Sequence, residues 1–328
     1  MASTSSSESS TSSAEEDIIR FIYTGAIGEF IPDEATHITV AEDCTFVRIR
    51  AFFHHPNIVE LVCHDGVKKI EELAFYDCPS LRRVIIRGVK IVEREAFCNC
   101  YSLEEVECGK LEIIKESAFR ACEMEGIKLL SARIVEEWAF GECDALKSVK
   151  FGSKLERIDR MAFCDCTSLQ RITIPLKAGL ITDDDINAFS GCISLKYVDL
   201  VEAADLHETI AALHLEEWRN DMNEEIDSIN QDLLSVDASY HEFEDDLGQK
   251  TWAIRRWVRS VLRKIIHYKA AHQRLLEEKV VPTLQLALPQ HIAMNNVLPF
   301  LELPPHTLDG EIHGFEVGDE EEEDEDDE

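Results

Sequence analysis

The sequence predicts an α+β chain: a solenoid of about seven to eight coils with short parallel strands, closed at its C-terminal end by helices. Three observations carry this reading. The dipeptide Ala-Phe recurs seven times from Ala51-Phe52 to Ala188-Phe189, at steps of 23, 22, 22, 21, 23 and 26 residues. Other apolar positions keep phase with each Phe, and after Leu206 the apolar spacing becomes helical. Self-similarity at a period of about 20–50 residues marks an architecture of stacked repeats.

The phased positions define the coil. Three residues after the Phe stands Cys78, Cys100, Cys122, Cys143, Cys166 or Cys192, with His55 in the first copy. Six after it comes Ile58, Leu81, Leu103, Leu146, Leu169 or Leu195, and nine after it Leu61, Val84, Val106, Val149, Ile172 or Val198. Five before it comes Val47, Ile70, Val92, Ile114, Val135 or Ile158. The copy at Phe119 is one residue short, so Met124 and Ile127 take its two apolar roles; the last copy carries an insertion over 177–185. The segment from Leu81 to Ile86 is too short and too β-branched for a helix, which makes one strand per copy. The Ile or Val before the Phe marks a second extended piece across the coil. Ala-Phe-x-x-Cys forms the corner between them, with a small Ala where backbones approach and a Phe plugging the interior. One coil cannot bury its own apolar side, whereas stacked coils share a core.

This pattern, I-x-x-x-AF-x-x-C-x-x-L-x-x-V-x-I over Val47 to Leu200, resembles the BspA-type leucine-rich repeats. The region with LHETIAALHLEEWRNDMNEEIDSIN and AIRRWVRSVLRKIIHY is also similar to the C-terminal part of large leucine-rich-repeat families in microalgae. The resemblance implies a leucine-rich-repeat solenoid acting as a scaffold, with no known activity.

The flanks follow by composition. Residues 1–16 are a Ser-rich leader expected to be disordered. Residues 17–46, with the strand His37 to Val40, are expected to cap the first coil, because an open strand edge invites aggregation. The solenoid proper is assigned to 47–202, a helical region to 203–304 and an acidic disordered tail to 305–328. Leu206, Ile210, Leu213, Trp218, Met222, Ile226, Ile229 and Leu233 lie on one face of an acidic helix. A basic helix over 250–280 carries apolar doublets such as Trp257-Val258, Val261-Leu262 and Ile265-Ile266. Opposite charges predict that the two helices pair and cover the last coil. A third short helix is expected near 291–301.

Composition bounds the function. The net charge is −32, with 65 acidic against 33 basic residues, and an unbroken acidic run from Asp319 to Glu328. Such a field repels phosphate backbones, so no nucleic-acid partner is expected. No stretch approaches about 20 uninterrupted apolar residues, so no membrane span is expected. The leader has neither a secretory nor a transit pattern, which places the chain in the cytoplasm or nucleus. The 11 cysteines then read as free thiols. Cys98-x-Cys100 and Cys164-x-Cys166 cannot converge on one zinc, since Cys98 and Cys164 sit three coils apart, and no metal or cofactor is predicted. His55 reads as a substitute for the ladder cysteine and His64 as a surface residue. No Gly-rich phosphate loop, nucleophile elbow or convergent carboxylate pair is visible, so no catalytic residue is assigned and the chain is not read as an enzyme.

The outward positions of the strand face remain as the partner-binding surface: Glu60, Arg82, Arg83, Glu104, Glu105, Glu107, Lys128, Lys147, Lys150, Arg171, Lys196 and Tyr197, with ion pairs such as Arg82 to Glu104 expected across strands. The sequence thus predicts a non-catalytic scaffold for an unidentified protein partner. The alternative is a membrane- or nucleic-acid-binding adaptor working through the basic helix 250–280.

Overall fold

The computed structural model describes residues 18–177, 179–181, 187–201, 224, 227–234 and 249–283. Two series of short parallel strands alternate along the chain. One comprises β1 (Arg20–Tyr23), β2 (His37–Val40), β4 (Glu60–Val62), β6 (Arg83–Ile85), β8 (Glu105–Glu107), β10 (Gly126–Leu129), β12 (Ser148–Phe151), β14 (Arg171–Ile174) and β15 (Tyr197–Leu200). The opposite series comprises β3 (Phe46–Val47), β5 (Lys69–Ile70), β7 (Ile91–Val92), β9 (Ile113–Ile114), β11 (Ile134–Val135) and β13 (Arg157–Ile158). Each coil from β3 to β14 contributes one strand to each side, and every pairing is parallel.

The Ala-Phe corner is where the coils lock together. The residue two before each Phe, from Arg50 to Met161, and the residue two after it, from His54 to Asp165, all have positive φ, between 53° and 62°. A left-handed residue with a Cβ costs about 1–2 kcal/mol. Two or three hydrogen bonds per corner offset that cost, because the alternation turns every second N–H toward the next coil. Thus Arg50, Phe52 and His54 donate to the carbonyls of Glu72, Ala74 and Tyr76. The Phe rings stack down the axis from Phe52 to Phe189, with centroids 4.6–5.5 Å apart. Each ladder thiol donates to the Phe carbonyl of the preceding coil, as Cys78 does to Phe52 (3.1 Å) and Cys192 to Phe163 (3.0 Å). Those carbonyls would otherwise be buried with unused acceptor capacity. His55 occupies the same place in the first copy, its Nε2 3.0 Å from the Pro32 carbonyl.

The strand face departs from one continuous sheet. It divides into five strands, β1-β2-β4-β6-β8, and four, β10-β12-β14-β15, while the opposite sheet runs unbroken through six. The division falls at the shortened copy. Losing one residue after Cys122 keeps Met124 and Ile127 buried and keeps β10 in register with β12, Gly126 opposite Ser148. The join to β8 is what it forfeits. Val106 and Cys108 on β8's side of the seam are only half-buried, whereas Val84 and Ile86 one coil earlier are fully buried.

The two ends differ. At the N-terminus, within the segment expected to cap the first coil, β1 pairs with β2 and is itself the terminal strand of its sheet among the described residues. At the C-terminus, helix α1 (Gln249–Leu275), extended by a π-helical turn over Leu276–Val280, covers the last coil. Ile254, Trp257, Val258, Val261, Leu262 and Ile265 join one buried cluster with the coils and with Ile229 and Leu233 of the helical residues 227–234. Thr251 Oγ1 accepts from Phe189 N–H (3.1 Å), and Asn230 Oδ1 accepts from Val198 N–H (3.4 Å), both donors being on the last coil. The leader, the acidic tail, the third short helix, most of the acidic helix and most of the 177–185 insertion lie outside the described residues.

Candidate partner-binding face

The strand face is made by alternation: inward Leu61, Val84, Ile127, Val149, Ile172 and Val198 are buried, so their neighbours point outward. Before the seam, Arg83 is the hub. Its register partners are Glu60 and Glu105, and its guanidinium lies 3.2 Å from Glu60, 2.9 Å from Glu105 and 2.6 Å from Glu107. Arg87, just past β6, also pairs with Glu107. Hydrogen bonds from Arg87 and Arg83 hold the Glu107 carboxyl below its ordinary pKa. The expected pair of Arg82 with Glu104 does not form among the described residues. Both precede their strands, where the Arg82 carbonyl takes the N–H groups of Glu104 and Glu105, and both side chains stay exposed. Register, one residue further on, hands the glutamates to Arg83.

Beyond the seam the charge changes sign. Lys128, Lys147, Lys150 and Arg171 are exposed and Lys196 is half-buried, against two acids, Glu125 and Asp199. Both acids are engaged: Glu125 with Lys147 at 2.6 Å and Asp199 with Arg171 at 2.7 Å. The Arg171 guanidinium also lies 4.5 Å from the centroid of the Tyr197 ring. The predicted residues therefore do not form one cluster. Glu60, Arg83, Glu105 and Glu107 close on one another, while Lys128, Lys147, Lys150, Arg171, Lys196 and Tyr197 form a separate basic area.

The other candidate groups serve the fold. Burial pushes four thiols up, Cys63 and Cys98 to about 12 and Cys108 and Cys164 to about 11, so none of these four is poised as a thiolate nucleophile. His64, expected on the surface, is half-buried instead. Its Nε2 donates toward the Ala41 and Cys44 carbonyls (2.9 and 3.0 Å) while Nδ1 accepts from Gly66 N–H (3.0 Å), tying two turns together. Lys250 carries no sequence signal beyond its place at a helix start. It is buried, and its ammonium reaches the carbonyls of Cys192 (3.1 Å), Ile193 (2.7 Å) and Leu195 (3.3 Å). Among the described residues no three His, Cys, Asp or Glu side chains converge as a metal site. No helix among them is long and apolar enough to cross a membrane.

The repeat geometry agrees with a sequence profile, that of the BspA type Leucine rich repeat region, which matches in six copies over residues 29–134 and 112–210. The chain belongs to the BspA-type leucine-rich repeat family. Solved structures of leucine-rich repeat proteins match part of the chain. A leucine-rich repeat protein from Bacteroides ovatus is 24% identical over 51% of this chain and 46% of its own, with a TM-score of 0.46. The Treponema pallidum leucine rich repeat protein is 17% identical over 56% of this chain and 69% of its own, with a TM-score of 0.33. A leucine rich cell surface protein from Faecalibacterium prausnitzii is 17% identical over 56% and 83%, with a TM-score of 0.25. The chain spans under half the length of the Bacteroides ovatus protein. No curated protein sequence matches it. As a BspA-type repeat chain it has an architecture typical of protein-interaction scaffolds.

Proposed function

We propose that this chain is a non-catalytic protein-interaction scaffold and that the strand face, from Glu60 to Tyr197, is its binding surface. One observation carries the reading. Among the described residues, the α1 cap covers the end of the solenoid and not the face: Lys128, Lys147, Lys150, Arg171 and Tyr197 stay exposed along β10, β12, β14 and β15. A row of parallel strands with alternating outward side chains is an extended platform that a partner can lie across. The adaptor reading through the basic helix ranks second. Arg256, Arg259 and Arg263 are exposed, but the apolar stripe a membrane would need, Trp257, Val261, Leu262 and Ile265, is already buried against the coils.

A photo-crosslinking side chain at Thr173, on the face, tests this in a lysate of the source cells, with Lys154, in the exposed turn beyond β12, as the control position. A discrete protein adduct from position 173 and none from 154 is the expected result. Equal adducts from both positions, or none from 173, overturn it.

A further inference from the structure

We infer that the half of the strand face beyond the seam recognises an acidic, extended peptide segment laid across β10, β12, β14 and β15; this rests on the strand face being the binding surface. The register sets out the site. Gly126, Ser148, Arg171 and Tyr197 form one row across the four strands, and Lys128, Lys150, Thr173 and Asp199 form the next outward row. On the other flank, one residue before each strand, stand Glu125, Lys147, Gln170 and Lys196.

Gly126 has no side chain and Ser148 a short one, so the middle row begins as a trough between Lys147 on one side and Lys128 and Lys150 on the other. At about 3.3 Å per residue, Lys147 and Lys150 stand roughly 10 Å apart along the chain. The trough ends on the Tyr197 ring with the Arg171 guanidinium over it.

The charges are arranged for a guest. Lys128 and Lys150 are direct register partners on adjacent strands. Like charges directly opposite destabilise a sheet unless something neutralises them. The face could do so from within, as it does around Arg83, yet Glu125 and Asp199 are already paired to Lys147 and Arg171. Among the described residues, Lys128, Lys150 and Lys196 have no ion-pair partner. Lys128 and Lys150 side by side, with Lys196 on the opposite flank of the same face, give this area an excess of positive charge that an acidic guest would neutralise.

The dimensions select the guest. Three inter-strand steps of about 4.8 Å span roughly 14 Å, the length of about four extended residues. A short carboxylate-rich segment fits that span. The chain's own run from Asp319 to Glu328 has the matching chemistry and would compete for the same trough.

Fluorescence anisotropy of the full chain with a labelled ten-residue peptide, DEEEEDEDDE, tests the assignment, with the corresponding Asn/Gln peptide as control. The acidic peptide is expected to bind more weakly as salt rises, and the Asn/Gln peptide not to bind. K128E/K150E is expected to weaken binding at least tenfold. K110E/K154E, which changes net charge equally away from the face, is expected to stay within twofold. A chain ending at Gly318 is expected to bind the peptide at least as tightly as the full chain. No binding of the acidic peptide to either chain, equal binding of both peptides, or equal loss in both double variants overturns the inference. If the peptide fails while position 173 still crosslinks a protein, the strand face remains the binding surface and only its acidic guest is rejected; failure of both rejects the two together.

Discussion

Lys250 places a charged donor among three carbonyls at the buried end of the solenoid, and Thr251 beside it takes the Phe189 N–H. In the interior coils these corner groups face a following coil. Here side chains stand in for it. Orphaning a buried polar group costs about 1–3 kcal/mol. Lys250→Met is therefore expected to lower stability by about 2–3 kcal/mol, read as a shift in denaturant midpoint, and Thr251→Val by about 1–2 kcal/mol. Neither role is legible in sequence, because the partners lie 55 to 62 residues earlier in the chain. The cysteine ladder was half legible. Its phase marks a small buried residue, but the reason for a thiol, a donor to a Phe carbonyl 24 to 29 residues back, appears only once the coils are stacked. Burial also holds the Cys100, Cys122, Cys143 and Cys166 thiols protonated. At pH 8 the native protein is expected to react slowly with a thiol reagent, with half-buried Cys108 first, and the unfolded protein to return 11 thiols. Rapid labelling of Cys100 or Cys143 in the native state would contradict the ladder.

At the scale of the strand, the repeat period specifies register well. The Phe-to-Phe step predicts β4 against β6 and β12 against β14, and both form in register. The 21-residue step also marks where the pattern yields, but spacing alone cannot say which contact is lost. Packing decides it: the Phe119 ring and Met124 keep their places in the core, so the missing residue is absorbed at the solvent side, between β8 and β10. Backbone amides of Val106 and Cys108 are accordingly expected to exchange with solvent faster than those of Val84 and Ile86, measured residue by residue. Equal protection across the seam would show that the sheet closes in solution. The same strand carries the face's main carboxylate. Glu107 has its pKa lowered by Arg87 and Arg83, so its contribution is complete above the ordinary glutamate range and is lost as pH falls through its lower folded value. Its carboxyl resonance is expected to titrate below that range and to move up in Arg83→Ala. Because the group is solvent-screened, the effect on global stability should be small.

At the scale of the whole molecule, the solenoid is a stack whose two ends are treated differently. The interior coils are nearly interchangeable, each contributing a Phe, a Cys and two strand segments, and that regularity is why the fold class could be read before any coordinates. The ends cannot be read from the repeat, since each closes the stack with residues outside it. At the N-terminus β1 leaves Ile22, Ile27 and Phe30 exposed among the described residues. At the C-terminus the last strand would expose Val198 and the Phe189 ring were α1 absent, and here the burial is large. Trp257, Val261, Leu262 and Ile265 are all buried in the shared cluster, each stabilising by roughly 1.5–3 kcal/mol. Apolar area, more than the opposite charges of the two helical segments, should therefore hold the cap in place. Trp257→Asp with Ile265→Asp is expected to lower the melting temperature and promote aggregation, and raising salt should have little effect on the wild type's melting temperature. A chain ending at Glu202 is expected to aggregate through the uncovered edge of β15. If it stays monomeric with an unchanged melting temperature, the helices form an independent unit. If wild-type stability falls steeply with salt, charge pairing and not burial closes the stack.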